Sequence, residues 1–306
     1  MLNVYAQQKE KIVESDLASP KDFFDLMKPR VMSLVIFTAF VGYLCGYYSM
    51  ENTINPLLSF IGIFAIALGA GASGVLNQWY DRDIDKLMLR TKNRPIPLGK
   101  ILPSDALGFG ILGSTLSVII IGLSINWLAA FYLAFTIIFY SVIYTIFLKR
   151  FTAQNIVIGG ASGAIPPMIG FICATGTLSV EPLILFGIIF LWTPPHFWAL
   201  AILRKDEYAK ANVPMMPITA GIKSTKKQIF LYTLVLFFFS CLPYYFNFNG
   251  YIYIISSIIL GLEFLRRAWN FLQSKNNSGQ SLFIYSIIYL FVLFLVLSLD
   301  KVYYNA

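Results

Sequence analysis

The sequence has little charge and few of the residues that build metal and disulfide sites. Only 12% of its 306 residues are charged and 58% are hydrophobic, whereas a soluble domain carries about a quarter charged residues. This shortage of charge argues against a soluble protein and predicts an integral membrane protein in contact with the lipid bilayer. The chain has a single histidine and three isolated cysteines, Cys45, Cys173 and Cys241, which argues against a zinc site or a disulfide framework.

The first 30 residues lack an apolar run, and they mix acidic side chains such as Asp22 and Asp25 with lysines. The first feature argues against a secretory signal, and the second argues against an Arg-rich transit peptide. We therefore expect residues 1–30 to form a cytoplasmic N-terminal lead-in. A bacterial cell (inner) membrane is the simplest location for such a chain.

Nine segments are apolar enough to cross a bilayer, which takes about 20 residues. Their approximate limits are 31–49, 56–77, 104–123, 126–147, 155–174, 182–203, 228–246, 250–265 and 281–299. The sequence therefore predicts an all-α membrane protein with one domain of nine transmembrane helices at 31–299. A short external tail is expected at 300–306.

The 23 basic residues are unevenly divided among the loops between these spans. All except Lys301 fall in alternate loops, and such loops lie on the cytoplasmic side of a membrane. This distribution predicts a cytoplasmic N-terminus and an external C-terminus, and it places loops 78–103 and 204–227 together at the cytoplasmic face. The net charge of +8 is thus explained by topology, and no nucleic-acid partner is expected.

An acidic stripe follows the second span. Asn77, Asp81 and Asp85 are spaced i, i+4, i+8, so on a helix they drift by only about 40° per step and share one face. Asp83 points to nearly the opposite side, where it is expected to be solvated or to pair with Arg82. Oxygen ligands of this kind suit Mg²⁺, although an ordinary charged helix end would show the same pattern.

Cations follow the acidic stripe within the next turns of the chain, namely Lys86, Arg90, Lys92 and Arg94. Cations beside a metal-binding stripe are useful when the ligand is a phosphate that bridges both. The small-residue run GAGASG at 69–74 would let another backbone approach just beneath the stripe. Together these features favour a phosphate and metal site over a plain interfacial helix end.

The stretch NQWYDRDID at 77–85, followed by RTKNRPIPLGKI at 90–101, resembles the first signature of the UbiA superfamily of intramembrane prenyltransferases. The resemblance covers nearly the whole chain. It implies a UbiA-type bundle of nine helices with active-site loops on the cytoplasmic side. It also implies that Asn77, Asp81 and Asp85 are the catalytic metal ligands, and that the metal is the Mg²⁺ of a prenyl diphosphate complex.

The second long loop departs from the pattern of many superfamily members, which carry a second acidic pair there. In LRKDEYAKANVPMMP at 203–217, Asp206 is followed four positions later by Lys210, so the pair is broken. With Arg204 and Lys205 beside them, these residues are typical of a direct phosphate clamp. A solvated cytoplasmic loop is the alternative interpretation.

This departure, together with WTPPHFWALAI at 192–202, resembles the protohaem IX farnesyltransferases (haem O synthases) within the superfamily. The resemblance implies that farnesyl diphosphate and haem B are the substrates and that haem O and diphosphate are the products. Haem O would then serve a terminal oxidase, directly or after conversion by a haem A synthase. With this resemblance, the diphosphate is expected to bind Arg90, Lys92, Arg94 and Lys205.

His196, the only histidine, lies in the sixth span behind Pro194 and Pro195. A lone buried histidine is usually structural, but ionisable groups inside a membrane are often functional, and imidazole is a common axial partner of haem iron. With the resemblance considered, a contact to haem is favoured. Tyr144 and Lys149, near the cytoplasmic end of the fourth span, are further substrate-binding candidates, with interfacial anchoring as the alternative.

Two other functions compete with haem farnesylation. A prenyltransferase for hydroxybenzoate or a quinone precursor would be favoured by an intact second acidic pair, which is missing. A transporter usually has paired broken helices in repeated halves, and the only helix interruption expected from the sequence is that at Pro194–Pro195. A haem-binding membrane protein without chemistry belongs to the same rival class.

Overall fold

A computed structural model describes residues 18–50, 55–275 and 278–304, so residues 1–17 of the expected lead-in and 305–306 of the expected tail lie outside it. The described residues form helices and connecting turns, with no strand among them. The helices are α1 (Pro20–Leu26), α2 (Pro29–Tyr48), α3 (Pro56–Tyr80), α4 (Arg82–Asp85), α5 (Pro103–Ser124), α6 (Trp127–Ile138) with a π-helical continuation (Phe139–Leu148), α7 (Asn155–Ala164), α8 (Pro166–Thr175), α9 (Val180–Leu203), α10 (Lys205–Lys210), α11 (Met216–Thr219), α12 (Gly221–Phe239), α13 (Leu242–Tyr245), α14 (Tyr251–Gln273) and α15 (Gln280–Tyr304).

Local sequence explains where several of these helices begin. Proline occupies the first turn of α1, α2, α3, α5 and α8, where its fixed φ and missing N–H cost nothing. Asn55 caps α3 by accepting from two backbone N–H groups, and Asn126 caps α6 by accepting from that of Ala129. Such caps satisfy donors that have no partner inside the helix.

The helices pack as a closed bundle. Neighbours along the chain contact one another, α9 packs on α7, α12 and α15, and the last helix α15 returns to pack on α2. Each of the nine predicted spans corresponds to a helical segment of the described chain, and eight segments are long and apolar enough to cross a membrane. The remaining one, α14, carries Glu263, Arg266 and Arg267. The chain is a multi-pass membrane protein.

The expectation that Pro194 and Pro195 interrupt a helix is wrong, because α9 continues through both residues. The break occurs elsewhere, at Ile165, where α7 ends and α8 begins with Pro166 and Pro167. Proline is tolerated in the first turn of a helix, where its N–H would have no partner. It cannot donate the backbone hydrogen bond that would continue the preceding helix. Pro166–Pro167 is also a counterpart to Pro194–Pro195. The lack of such a counterpart therefore no longer argues against a transporter.

The short helix α1 is anchored to the bundle. Leu26 is fully buried with Val75 and Ile96 in one apolar cluster, and the Gln78 side chain donates to the Leu26 carbonyl at 2.7 Å. Gly71 has no Cβ, and an added one would overlap Met27. The segment before the first long helix is therefore held against α3, beside the predicted acidic stripe.

The other end of the bundle contains a buried ion pair. Lys301 Nζ lies 2.9 Å from Glu181 Oε1, and both side chains are almost fully buried. Ser49 donates to the second oxygen of Glu181 at 2.9 Å, so the pair joins α2, α9 and α15. Because α15 continues to Tyr304, five residues that were expected in an external tail belong to this helix.

Candidate active site

The predicted acidic stripe lies where α3 gives way to α4. Asp81 follows the end of α3 with a ψ of 6°. The helical spacing persists, because the Asp81 N–H donates to the Asn77 carbonyl at 3.0 Å and the Asp85 N–H donates to the Asp81 carbonyl at 2.8 Å. The side chains of Asn77, Asp81 and Asp85 are buried, with exposed fractions of 4%, 0% and 2%. They form one buried row of oxygen-bearing groups.

Two of the predicted cations contact this row. Arg94 Nη1 donates to Asp85 Oδ2 at 2.6 Å, and Lys149 Nζ donates to Asp81 Oδ2. Lys149 comes from the end of the π-helix, 68 positions beyond Asp81. A carboxylate inside a protein is stabilised by such charge-assisted hydrogen bonds, so each acid in the row has a cationic partner.

Lys28, which sequence reasoning did not select, is a third cation at the row. Its Nζ donates to Asn77 Oδ1 at 2.6 Å. Burial lowers the pKa of Lys28 well below its ordinary value, and the charges of Arg94 and Lys149 lower it further. Lys28 is one of five basic residues before the first span, and nothing in the sequence separates it from cations that only set topology.

The π-helix adds a hydroxyl to the same row. Asn77 Nδ2 donates to Thr145 Oγ1 at 3.0 Å and to Asp81 Oδ2 at 2.9 Å. Thr145 donates in turn to the Tyr140 carbonyl, five residues earlier, at 2.7 Å. A π-helix occurs mostly in short stretches and often at functional sites. Here it places Thr145 and Lys149 against two neighbouring members of the acidic row.

Asp83 does not pair with Arg82, so that part of the expectation is wrong. Its side chain is 59% exposed and forms a fork-shaped pair with Arg150 at 2.7 and 2.8 Å. The Arg150 hydrogen bonds lower the pKa of the Asp83 carboxyl below its ordinary value. Arg150 also lies 3.6 Å from Asp81 Oδ1, which makes it a neighbour of the row that the prediction did not include.

The donor set fits Mg²⁺. Two carboxylates and a carboxamide supply hard oxygen atoms, and Mg²⁺ is usually held by one or two carboxylates plus phosphate and water. Asp81 Oδ1 is buried and accepts no hydrogen bond, which leaves a desolvated anionic oxygen for a cation. Within the described residues there is no group of three or more His, Cys, Asp or Glu side chains suited to a metal ion.

The two long loops meet beside this row. Ile84 and Met88 of the first loop belong to the same buried cluster as Tyr208 and Val213 of the second. Burial raises the pKa of the Tyr208 phenol, and the neighbouring Arg90 opposes that shift. The predicted meeting of these loops on one side of the bundle is therefore present in the structure.

The remaining predicted cations and acids of these loops are distributed as follows. Arg90, Lys92, Asp206 and Lys210 are exposed, and Lys205 is partly buried. Arg204 pairs with Glu207 at 2.8 Å. The structure thus does not join Arg204 directly to the acidic row, while the exposed cations remain open to an incoming anion.

Tyr144 stacks on Tyr140 with ring centroids 5.4 Å apart. Lys28 Nζ lies 5.9 Å from the Tyr140 ring centroid, so this aromatic pair borders the cationic side of the row. Gly159 on α7 has no Cβ, and an added one would overlap the Tyr144 ring. The close approach of α7 therefore fixes the position of Tyr144.

His196 is buried on α9. Its ring lies between those of Trp192 and Phe283, at centroid distances of 4.3 and 4.7 Å, and its Nδ1 is 2.7 Å from Ser286 Oγ. Ser286 donates its one hydroxyl proton to the Phe283 carbonyl at 2.6 Å. With that proton on the Phe283 carbonyl, the Ser286 oxygen accepts from Nδ1–H, which is the tautomer in which Nε2 carries a lone pair.

Comparison with known proteins gives a consistent result. The model of the UbiA prenyltransferase family matches residues 35–296. The chain is 52% identical to a protein of Mesorhizobium japonicum named protoheme IX farnesyltransferase 2, over 93% of this chain and 91% of that protein. It is also 52% identical to a protoheme IX farnesyltransferase of Methylorubrum extorquens, over 92% of this chain and 89% of that one.

Solved structures share the fold. A digeranylgeranylglyceryl phosphate synthase structure has a TM-score of 0.78 and 20% identity, covering 92% of this chain and 98% of that one. A UbiA homologue of Archaeoglobus fulgidus, bound to DMAPP and Mg²⁺, has a TM-score of 0.64 and 18% identity, covering 90% of this chain and 99% of that one. At these identities the similarity establishes the helical architecture.

Proposed function

The chain belongs to the UbiA prenyltransferase family, and we propose that it transfers the farnesyl group of farnesyl diphosphate to a vinyl group of haem B, giving haem O and diphosphate. The observation that carries this proposal is the 52% identity, over nine-tenths of both chains, to a relative named protoheme IX farnesyltransferase 2. The buried acidic row with its cations supports a site for a metal and a diphosphate.

Asn77, Asp81 and Asp85 are the residues proposed to hold Mg²⁺. When bound, Mg²⁺ would neutralise charge on the diphosphate and so favour its departure. Asp81 contributes the buried oxygen without a hydrogen bond. Asn77 has its side chain oriented by Thr145, so the amide is held in place before any ligand arrives.

The cations are proposed to bind and orient the diphosphate. Lys28, Arg94 and Lys149 contact a row that contains only two carboxylates, so the basic groups outnumber the acidic ones there. An incoming diphosphate can take over hydrogen bonds that these cations now make to the row. The exposed or partly buried cations of the two loops complete the proposed diphosphate site: Arg90, Lys92, Lys205 and Lys210, with Asp206 between the last two and Arg204 at the loop's start.

The reaction separates charge within the helical bundle. The C1–O bond of farnesyl diphosphate breaks, the terminal vinyl carbon of haem B bonds to farnesyl C1, and a cation forms on the vinyl carbon next to the porphyrin. One water molecule adds to that cation and releases a proton, which leaves the hydroxyl of haem O. The rings of Tyr140 and Tyr144 offer electron-rich faces near the departing diphosphate.

His196 is proposed to contact haem B. Its ring is oriented by Ser286 and flanked by two aromatic rings, and its Nε2 carries the lone pair that haem iron accepts. His196 lies on a different helix from the acidic row, as expected for two substrates with different chemistry. Haem would be recognised from α9 and α15, and the diphosphate from α3 and the two loops.

The topology belongs to the same proposal. The location is the inner membrane of a bacterial cell, with a cytoplasmic lead-in at 1–30, the prenyltransferase domain at 31–299 and residues 300–306 at the external side. The acidic row then lies at the cytoplasmic face, where soluble farnesyl diphosphate is available. The haem O product would pass to a terminal oxidase or to a haem A synthase.

Incubation of the detergent-purified protein with haem B, farnesyl diphosphate and Mg²⁺ tests the reaction. We expect a new porphyrin that elutes later on reversed-phase chromatography, with the mass of haem B plus a farnesyl group and a hydroxyl group. The Asp81→Asn variant should give far less of it. Unchanged haem B, together with prenylation of 4-hydroxybenzoate in a parallel reaction, would contradict the proposal and favour the quinone-precursor alternative.

A further inference from the structure

An open cavity of about 600 Å³ lies between α14 and α15, outside the site described above. Its polar part includes Arg267, Ser278 and Ser281, and its apolar part includes Ile284, Tyr285 and Ile288. A cavity with a guanidinium and hydroxyl groups at one end and aliphatic side chains at the other suits an amphipathic anion. An ordinary lipid-facing groove is lined by apolar side chains, whereas this cavity also has a cationic group.

The charge at the polar end is positive. Arg267 Nε donates to Glu263 at 2.6 Å, but Arg266 contacts the same carboxylate at 2.6 and 2.8 Å. Two guanidinium groups therefore share one carboxylate, and Lys275 nearby along the chain is exposed. The first turn of α15 contains Ser281 at the cavity wall, so the positive end of the helix dipole adds to this field.

Arg267 is held in place for this role. Its Nη1 donates to Ser281 Oγ at 2.7 Å, and its guanidinium carbon lies 4.6 Å from the Tyr285 ring centroid. Tyr285 in turn donates to the Leu260 carbonyl on α14 at 2.9 Å. A guanidinium fixed on three sides loses less conformational entropy when it binds a phosphate than a free side chain would.

The cavity opens away from the proposed haem site. At about 100° per residue, Ser281, Ile284, Tyr285 and Ile288 of the cavity wall share one face of α15. Phe283 and Ser286, which contact His196, lie on the opposite face. Ile284 and Ile288 are each 48% exposed on the outer surface of the bundle. An occupant of this cavity therefore comes from the surrounding bilayer and does not meet the reacting groups.

We propose that this cavity binds one anionic phospholipid. Its phosphate contacts Arg267 and Ser281, and its acyl chains lie along Ile284 and Ile288. Basic residues near the ends of transmembrane helices attract acidic headgroups, and Arg267 supplies such a group at the cavity wall, with Arg266 and Lys275 close to it along the chain. The bound lipid fills the space between α14 and α15 and so ties together two helices that close the bundle.

Native mass spectrometry of the full-length protein in dodecyl maltoside tests the proposal, with phosphatidylglycerol or phosphatidylcholine of matched chain length added after removal of endogenous lipid. We expect one phosphatidylglycerol to be retained and phosphatidylcholine to be lost. Arg267→Gln should weaken retention by about tenfold, the size expected when a charge-assisted hydrogen-bond pair is removed. Inorganic phosphate, which lacks acyl chains, should not displace the lipid.

Lys227→Gln is the matched control, because it removes one positive charge from an exposed position on α12 that does not line the cavity. Ile288→Trp is a second variant that fills the cavity without changing charge, and it should also reduce retention. Equal retention of the two lipids, displacement by phosphate, or equal weakening by Lys227→Gln and Arg267→Gln would overturn the proposal. If the Arg267→Gln variant has a lowered melting temperature in lipid-free detergent, the Ile288→Trp variant decides. Normal retention of phosphatidylglycerol by Ile288→Trp would then overturn the proposal.

Discussion

Lys28 and Asn77 are joined by a hydrogen bond of 2.6 Å between Nζ and Oδ1, which links the start of the first long helix to the acidic end of the second. The contact is possible because α1 is anchored on α3 through Leu26 and Gln78. Lys28, Arg94 and Lys149 thereby donate hydrogen bonds to a row of two carboxylates and one amide. This combination of basic and acidic side chains is suited to binding an anion together with a metal ion.

Removal of Lys28 should weaken binding of the prenyl diphosphate. We expect Lys28→Gln to raise the dissociation constant of a non-reactive farnesyl diphosphate analogue by about tenfold or more, because a partly buried charge-assisted contact is lost. Calorimetric titration of the purified variant measures it. Lys100→Gln is the control, since Lys100 is largely exposed and pairs with Asp22; equal effects of the two variants would contradict a direct role for Lys28.

Neutralising either acid of the row should abolish most activity without unfolding the protein. Asp81→Asn and Asp85→Asn each preserve side-chain volume while removing a proposed anionic metal ligand, and we expect turnover to fall by about a hundredfold or more. Turnover at limiting Mg²⁺ and a thermal melt provide the two measurements. Asp83→Asn, whose carboxylate is exposed and paired with Arg150, should retain most activity. Near-normal turnover of Asp85→Asn would remove that residue from the metal assignment.

The fork geometry of Arg94 should matter beyond its charge. Arg94→Lys keeps the positive charge near Asp85 but cannot make two parallel hydrogen bonds to a phosphate. We expect the apparent KM for farnesyl diphosphate to rise about tenfold, while the haem affinity stays unchanged. Steady-state rates measured with haem B saturating test this. A normal KM for the prenyl substrate would show that charge alone suffices at this position.

His196→Ala should weaken haem binding and leave the farnesyl diphosphate analogue bound, because the two proposed sites lie on different helices. A spectroscopic haem titration beside a thermal melt separates this outcome from general destabilisation, in which both ligands would be lost. Ser286→Ala removes only the hydroxyl that orients the ring, so a smaller loss of haem affinity is expected from it. An unchanged Soret band in a folded His196→Ala variant would exclude the haem contact.

The buried Glu181–Lys301 pair should contribute to stability and not to chemistry. Lys301→Met leaves the Glu181 carboxylate buried without its cation, and breaking a buried pair in this way costs about 3–5 kcal/mol. We expect a lower melting temperature and normal turnover at low temperature. The double variant Glu181→Gln with Lys301→Met should recover part of the loss; a double variant less stable than Lys301→Met alone would contradict the explanation.

The helical class and the acidic row could be predicted because both depend on local spacing. Long apolar segments of the sequence became helices, and Asn77, Asp81 and Asp85 remained aligned although α3 ends before Asp81. Backbone hydrogen bonds four residues apart continue through that end. The four-residue spacing of the three side chains is therefore kept although the helix ends within it. For this reason the prediction from an ideal helix was correct about their common face.

Features that depend on distant contacts could not be predicted in the same way. Lys28 meets Asn77 across 49 positions, and Arg150 meets Asp83 across 67, so neither partner is visible in a local window. The local sequence of a Pro-Pro pair does not show whether a helix stops there, so a break was predicted at Pro194–Pro195 and not at Pro166–Pro167, whereas the structure has the reverse. Packing, which determines that α9 continues and α7 stops, distinguishes them.

The π-helical turn restricts how the length of this chain can change. Deleting one residue within Phe139–Leu148 would let the segment adopt ordinary α-helical hydrogen bonds, since the five-residue steps would become four-residue steps. The helix would gain regularity, but Thr145 and Lys149 would rotate away from Asn77 and Asp81. The extra residue is therefore kept at the expense of local helix stability, and we expect insertions and deletions to be tolerated less in this helix than in any loop of the protein.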